Sequence, residues 1–323
     1  MAGDGGPLRV GTRGSALALW QTNFVIERLH GLYRELAVER VVIRTTGDRI
    51  VDRPLGAIGD KGLFTRELEE ALRAAQIDLA VHSLKDLPTT MPAGLTLGAV
   101  LERDDPRDAL LCPGGHTLAT LPAGARLGTS SPRRRAQLLA LRADLEIVDL
   151  RGNVPTRIAK LADGSLDAAV MAHAGLLRLG LLDHVTEVLA PERMLPAVGQ
   201  GALAVEGRAD DARLATLVAP LDHLPTRLAT SAERAVLAEL EGGCQIPLGA
   251  LGRISDGTLS LAALVADLDG RTVLRQAATE RVADEASAQR LGRLLAARLR
   301  ASGADALLGR LRAAPPPTPT TIG

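Results

Sequence analysis

The chain has 323 residues, 46% of them hydrophobic and 24% charged, with 38 basic side chains balancing 38 acidic ones. Such values describe a globular chain of two or three domains and exclude wholesale disorder, a collagen repeat and a disulfide scaffold. No stretch approaches the roughly 20 apolar residues of a membrane span, the opening MAGDGGPLRV lacks a secretory pattern, and two cysteines, Cys112 and Cys244, suit a reducing cytoplasm.

In chain order, short apolar runs alternate with helical patterns, which predicts βα units on largely parallel sheets. A strand over 8–10 leads through a turn at 11–14 into a helix over 15–30. A strand follows at 38–43, then a helical spacing of Phe64, Leu68, Ala71, Leu72 and Ala75, then a strand at 77–81 that ends in the segment 82–86. The charged, Pro-containing stretch 101–107 reads as a crossing between domains. The arrangement then recurs: a strand at 125–128, a helix to 141 with Ser131 as N-cap and Pro132 at its first position, and strands at 147–150 and 166–171. The pattern changes at 195–203, where the chain is expected to return to its first domain. A third unit starts near Asp222. Residues 230–233 (TSAE) form a capping-box pattern expected to open a helix that stops at Gly242 and Gly243. Strands are predicted at 259–265 and 272–277, and Leu291, Leu294, Leu295 and Leu299 are placed on one face of a final helix. The expected domains are 1–101 with 202–219, 107–195 and 222–314, with a disordered Pro- and Thr-rich tail at 315–323.

The basic residues carry the first chemical signal. Of the 38, 35 are Arg, and only Lys61, Lys85 and Lys160 are Lys. A Lys kept against that bias points to a place needing a compact ammonium. Arg13, Arg133, Arg134, Arg151, Arg157 and Arg178 all fall at, or one helical turn beyond, the carboxyl ends of predicted strands, the edge that forms the ligand crevice of open α/β sheets. Surrounding Gly, Ser and Thr residues and helix N-termini add donors, so a ligand with several carboxylates or phosphates is expected. Any one of these arginines could equally be a solvated surface residue.

Lys85-Asp86 follows a strand end, and an acid among cations there is placed to stabilise developing positive charge or to take a proton; an ordinary turn Asp is the bland alternative. Asp48 reads as a turn residue. Cys244 follows two glycines beyond a helix C-terminus, whose dipole does not activate a thiol; it suits capture of a strong electrophile. Cys112 reads as a small buried hydrophobe, and His82 as a residue that orients its loop. Neither zinc spacing nor a phosphate-loop or dinucleotide fingerprint is present, so no metal is expected. Zero net charge and four aromatics (Trp20, Phe24, Tyr33, Phe64) speak against nucleic acid as a partner.

Eight ordered segments resemble the hydroxymethylbilane synthase (porphobilinogen deaminase) family: TRGSALALWQ at 12–21, GDKGLF at 59–64, AVHSLKDLP at 80–88, GTSSPRRR at 128–135, LRGNVPTR at 150–157, AGLLRLG at 174–180, PAVGQGA at 196–202 and EGGCQIPLG at 241–249. The resemblance covers about 8–311. It implies an α/β fold of two periplasmic-binding-protein-like lobes with mixed, largely parallel sheets, plus a smaller α+β C-terminal domain. It further implies a transferase of tetrapyrrole biosynthesis that condenses four porphobilinogen molecules head to tail, with loss of ammonia, on a covalent dipyrromethane cofactor.

Carried over residue by residue, Cys244 would bear the cofactor through its sulfur and Asp86 would be catalytic. Lys85, Ser15, Thr129, Ser130, Arg133, Arg134 and Arg151, with Asp86, would hold the cofactor, while Arg13, Arg157, Arg178 and Phe64 would bind substrate. The expected partner is porphobilinogen, for a monomer that engages no membrane. Pro132 stands where the family has Leu, and Pro155 where Gly is common, which leaves Arg157 the least secure of these positions. The segment holding Ala57 and Asp60 is a candidate lid. Two rivals are weighed: a two-lobed receptor for a polycarboxylate, which leaves Cys244 and Asp86 unexplained, and a phosphoryl-transfer enzyme, which lacks a metal-carboxylate motif.

Overall fold

Hydrophobic side chains on both faces of short strands dictate sheets covered on each side by helices. The computed structural model describes residues 6–49, 64–240 and 246–313. Strand β1 (Leu8–Thr12) runs into helix α1 (Ala16–Leu32), whose N-cap Ser15 accepts the Ala18 N–H at 3.3 Å. After β2 (Val38–Val42), the short α2 (Thr46–Arg49) and α3 (Arg66–Arg73) comes β3 (Leu79–Ser83), followed at once by a 3-10 turn over Leu84–Asp86 and then by β4 (Leu95–Val100).

A second series follows: β5 (Asp108–Leu111), β6 (Arg126–Gly128), α4 (Pro132–Leu141), β7 (Glu146–Val148), α5 (Val154–Ala162), β8 (Ala168–Ala172), α6 (His173–Arg178) and β9 (Glu187–Leu189). The chain continues with β10 (Leu203–Arg208), α7 (Ala212–Val218) and α8 (Leu224–Glu239). It closes with β11 (Leu248–Ser255), β12 (Thr258–Ala266), β13 (Val273–Arg281), α9 (Glu285–Ala301) and α10 (Ala304–Ala313).

Two five-stranded sheets share one plan, with orders β2-β1-β3-β10-β4 and β7-β6-β8-β5-β9. In each, the first three strands are parallel and the fourth runs antiparallel to both its neighbours. The third sheet is an antiparallel meander, β11-β12-β13, backed by α9. The described residues divide into two compact units. The first holds the residues up to Arg103 together with 202–227, and the second holds 104–201 and the residues from Leu228 onward.

Packing follows the strand period of two. On β3, Leu79 and Val81 join Val10, Val25 and Leu29 in one core, while Ala80 faces Leu68, Leu72 and Ile77 on the other side. Burial of these side chains contributes roughly 1.5–3 kcal/mol each against leaving them in water. At Gly11 a Cβ would meet the tip of the Ile77 side chain and lie 3.1 Å from Leu68, so β1 lies close against that layer.

Several expectations are corrected. The 230–233 pattern lies inside α8, which starts at Leu224, with Pro225 in the first turn where a missing N–H is harmless. Glu233 is fully buried and accepts the backbone N–H groups of Gly199 and Gly252 at 2.7 and 2.8 Å. A tertiary role therefore replaces the capping one. Leu294 is 43% exposed, off the face that buries Leu291, Leu295 and Leu299. Strands β4, β5, β9, β10 and β11 and helices α2, α5, α6, α7 and α10 have no counterpart among the predicted elements. Gly242, Gly243 and the tail at 315–323 lie outside the described residues.

Candidate active site

Parallel neighbours bring their carboxyl ends to one edge. In the first unit, β1 pairs with β3 through Val10–Leu79 and Gly11–Ala80, so Arg13 after β1 and Lys85-Asp86 after β3 share that edge. Thr12 is fully buried and its hydroxyl donates to the carbonyls of Ala18 at 3.1 Å and Arg13 at 3.2 Å, fixing the turn that presents Arg13. The Arg13 guanidinium stacks over the Phe64 ring, 4.2 Å from its centroid. Two residues expected to bind substrate are thereby in contact. The Ser15 hydroxyl, used as an acceptor at the helix cap, keeps its proton for donation.

Asp86 is half-buried on the 3-10 turn, which is anchored on both sides by buried Leu84 and Leu87. Leu84 N–H donates to the Ala202 carbonyl at 3.0 Å, and Gln21 from α1 donates its amide to the Ser83 hydroxyl at 2.8 Å. His82 is buried behind this turn, with Nε2 2.9 Å from Oε2 of fully buried Glu206; the pair is close but not aligned as a hydrogen bond.

In the second unit β6, β7 and β8 are parallel, and the remaining candidates cluster at their carboxyl ends. Ser131 caps α4 by accepting the Arg134 N–H at 3.4 Å, with Pro132 in the first turn, so Pro132 leaves the helix start intact. Buried Thr129 accepts the Ser131 N–H at 3.3 Å, and the Ser130 hydroxyl donates to the Leu150 carbonyl at 2.8 Å. The proton of Ser130 is thus committed within the protein, unlike that of Ser15.

Arg133 and Arg134 converge on Asp108, the fully buried residue that opens β5. Arg133 reaches it at 2.7 and 3.3 Å and Arg134 at 3.0 and 2.8 Å, while Gln200 adds a donor at 2.9 Å. Burial pushes the Asp108 carboxyl upward, but the charges of Arg133 and Arg134 outweigh it and hold it well below the ordinary carboxylate range. Burial also lowers Arg134, against the attraction of Asp108 and with the repulsion of Arg133. Arg178 is buried too, donating to Asp104 at 2.9 Å and to the Gly201 carbonyl at 2.7 Å. By spacing these three arginines are expected as ligand contacts; here they also anchor structure. Asp104 sits in the charged run at 101–107 that reads as a crossing, Asp108 directly follows it, and Gln200 falls in the stretch at 195–203 that reads as a return to the first domain, so spacing makes none of them a candidate. The one available signal was an acid directly opening an apolar stretch.

Arg151 is half-buried in the loop after β7. Asn153 caps α5 by accepting the Thr156 N–H at 2.9 Å, and Pro155 sits in the first turn. The Arg157 Nε–H donates to the Gly152 carbonyl at 2.8 Å. The Arg157 side chain keeps some accessible surface, yet protein atoms crowd its guanidinium. That burial, with the charges of Arg134 and Arg151 opposed by Asp149, pushes its pKa down to about 10. Its excess of positive charge and the buried, unpaired Nε of Arg133 fit a carboxylate-rich group. Cys244, Lys61 and the candidate lid at Ala57 and Asp60 lie outside the described residues.

Among the described residues, no helix is long and apolar enough to cross a membrane. Two α/β units, each presenting cations and hydroxyls at strand ends and one of them a carboxylate, define a binder of polyanions equipped for acid–base or electrostatic chemistry. Residues 8–216 match the family described as porphobilinogen deaminase, dipyromethane cofactor binding domain, and residues 227–301 match its C-terminal domain. The chain is 55% identical over 304 residues to the porphobilinogen deaminase of Desulforudis audaxviator, covering 94% of this chain and 97% of that protein. It is 52% identical over 306 residues to that of Moorella thermoacetica, covering 95% and 97%. The periplasmic aliphatic sulphonate binding protein SsuA of Escherichia coli aligns over 98% of this chain and 94% of its own at 15% identity, with a TM-score of 0.42. The chain belongs to the porphobilinogen deaminase family, and the matched N-terminal region is its dipyrromethane cofactor-binding domain.

Proposed function

We propose that the chain condenses four porphobilinogen molecules head to tail, losing ammonia at each step, and releases linear hydroxymethylbilane by hydrolysis, as a cytoplasmic monomer of tetrapyrrole biosynthesis. The observation that carries this reading is that each of the two units has a strand edge rich in Arg and hydroxyl groups, with Asp86 on the edge of the first, inside the region matched to the cofactor-binding domain. A division into domains at 1–101 with 202–219, 107–195 and 222–314 belongs to it, and the three separate sheets support that division.

When bound, the dipyrromethane supplies the nucleophilic pyrrole carbon from which the product is extended, and it stays attached. Cys244 holds it by a thioether. Lys85, Ser15, Thr129, Arg133, Arg134 and Arg151 bind its acetate and propionate groups, each charge-assisted bond contributing about 1.5–3 kcal/mol, and Ser130 joins them by turning its hydroxyl from the Leu150 carbonyl to the ligand. Arg13, stacked on Phe64, together with Arg157 and Arg178 takes the carboxylates of the incoming porphobilinogen. As the substrate's C–N bond breaks and ammonia departs, the Asp86 carboxylate stabilises the positive charge left on the pyrrole and accepts the proton lost on rearomatisation.

Intact-mass measurement tests this directly. Protein from a host with tetrapyrrole synthesis is expected to carry an adduct the size of two linked pyrroles, absent from Cys244→Ser. An unmodified mass in the parent protein overturns the reading.

A further inference from the structure

We propose that Glu206 is a positioning residue for Asp86, acting through His82: a buried carboxylate–imidazole contact between β10 and β3 braces the turn that carries the acid. The inference rests on the reading of Asp86 as the catalytic group.

Glu206 is fully buried and His82 is 5% exposed. They stand on adjacent antiparallel strands whose register pairs His82 with Ala204 and Ala80 with Glu206. Side chains alternate along a strand, so His82 and Glu206 rise diagonally from one face of the sheet. Nε2 of His82 lies 2.9 Å from Oε2 of Glu206, and at that separation one proton, carried by either partner, couples them. On both sides of the pair the same face is apolar. Ala80 packs with Leu68 and Leu72 of α3, and Ala204 with Leu84 and Leu87 around the turn. Stability does not call for such a pair, because two apolar side chains of the same shape serve a buried site about as well.

What the pair supplies is a fixed register. A slip of β3 along β10 would leave a buried carboxylate facing hydrocarbon, which is costly, whereas an apolar contact tolerates small slides. The backbone carries that register into the turn. Leu84 N–H donates to the carbonyl of Ala202, the residue before β10, at 3.0 Å, and Leu87 N–H closes the turn onto the Leu84 carbonyl at 3.2 Å. The β10 segment therefore grips the chain at His82 and again at Leu84, and Asp86 lies two residues beyond the second grip. Ser83, between the two grips, is held from the side by Gln21 at 2.8 Å. A displacement at His82 is thus passed to the Asp86 carboxylate, where an ångström of slack is expensive in rate.

The test measures ammonia release from porphobilinogen by the loaded full-length protein, with intact mass confirming the adduct in every variant. Glu206→Met is expected to lower kcat roughly tenfold to a hundredfold with KM unchanged, and Glu206→Gln, which keeps an oxygen facing His82, to recover most of the loss. The apolar pair, His82→Leu combined with Glu206→Met, leaves no polar group stranded; it is expected to fold yet stay slow, and it is judged by the same criterion should Glu206→Met alone not fold. In an Asp86→Asn background, Glu206→Met is expected to lower kcat no further. Leu214→Ala, a core truncation packed with Val205 on the opposite face of the sheet, controls for general destabilisation and is expected to keep its kcat. Parental kcat in the apolar pair, equal slowing in Leu214→Ala, or an undiminished Glu206→Met effect beside Asp86→Asn overturns the proposal, as does failure of both Glu206→Met and the apolar pair to fold. If Asp86→Asn alone keeps parental kcat, the reading of Asp86 fails and the proposal with it; if Asp86→Asn is slow and the Glu206 variants are not, only the positioning role falls.

Discussion

Asp108→Asn offers the sharpest test of how the arginine cluster is held. The carboxylate is fully buried and receives four hydrogen bonds from Arg133 and Arg134 and one from Gln200. The amide keeps the shape but removes the charge, leaving two buried guanidinium groups facing each other. Removing one partner of a buried ion pair costs about 3–5 kcal/mol, and the presence of two cations places this site at the upper end. With a typical total of about 5–15 kcal/mol, a third or more of the stability is lost.

Urea unfolding checks this with two probes, because the chain's single tryptophan, Trp20, belongs to the first unit. The circular-dichroism transition of the second unit should move down by about 1–2 M urea, while the Trp20 fluorescence transition moves less. The pH dependence has a defined sign. The folded-state pKa of Asp108 lies below its unfolded value of about 3.9. Its contribution is therefore complete above about pH 4 and is lost as pH falls further, so parent and variant curves should converge only under strong acid. Asp144→Asn, which breaks an exposed pair with Arg142, is the control. Equal shifts in the two variants would refute the assignment of Asp108 as the buried anchor.

Asp86→Asn should retain cofactor loading and porphobilinogen binding but lose roughly 10²–10³ in turnover; unchanged kcat would remove Asp86 from the chemistry. Arg157→Gln should make unloaded protein more stable by about 1 kcal/mol, since burial and the nearby Arg134 and Arg151 charges disfavour its guanidinium, while weakening substrate binding; calorimetry of the Cys244→Ser background reads the first effect and KM the second. Glu206→Leu and His82→Leu each remove one side of the same buried polar contact, so the double variant should cost less than the sum of the two single variants. Additivity in that cycle would mean that the 2.9 Å contact couples nothing.

Much of the unit plan is written locally. Ser131-Pro132 marks the start of α4, Ser15 caps α1, and the apolar runs around Val10 and Val170 become parallel strands, because caps, proline and side-chain period act over a few residues. Where these local codes compete with distant partners they mislead. TSAE at 230–233 has the form of a capping box, yet Glu233 is drawn into the interior to satisfy Gly199 and Gly252. Leu294 has a core residue's chemistry but faces away from the sheet.

The same division holds at the site. From the sequence alone came the polyanion chemistry, the acid after β3 and the family motifs, since residue type and spacing carry them. Only the tertiary structure decided that Asp108 neutralises part of the Arg133–Arg134 charge, that Phe64 stacks on Arg13, and that the Leu195 carbonyl serves both Arg133 and Gln137. Those relations join residues far apart along the chain, and a buried charge or peptide group takes whichever partner the folded backbone brings within about 3 Å, a distance that no local pattern encodes.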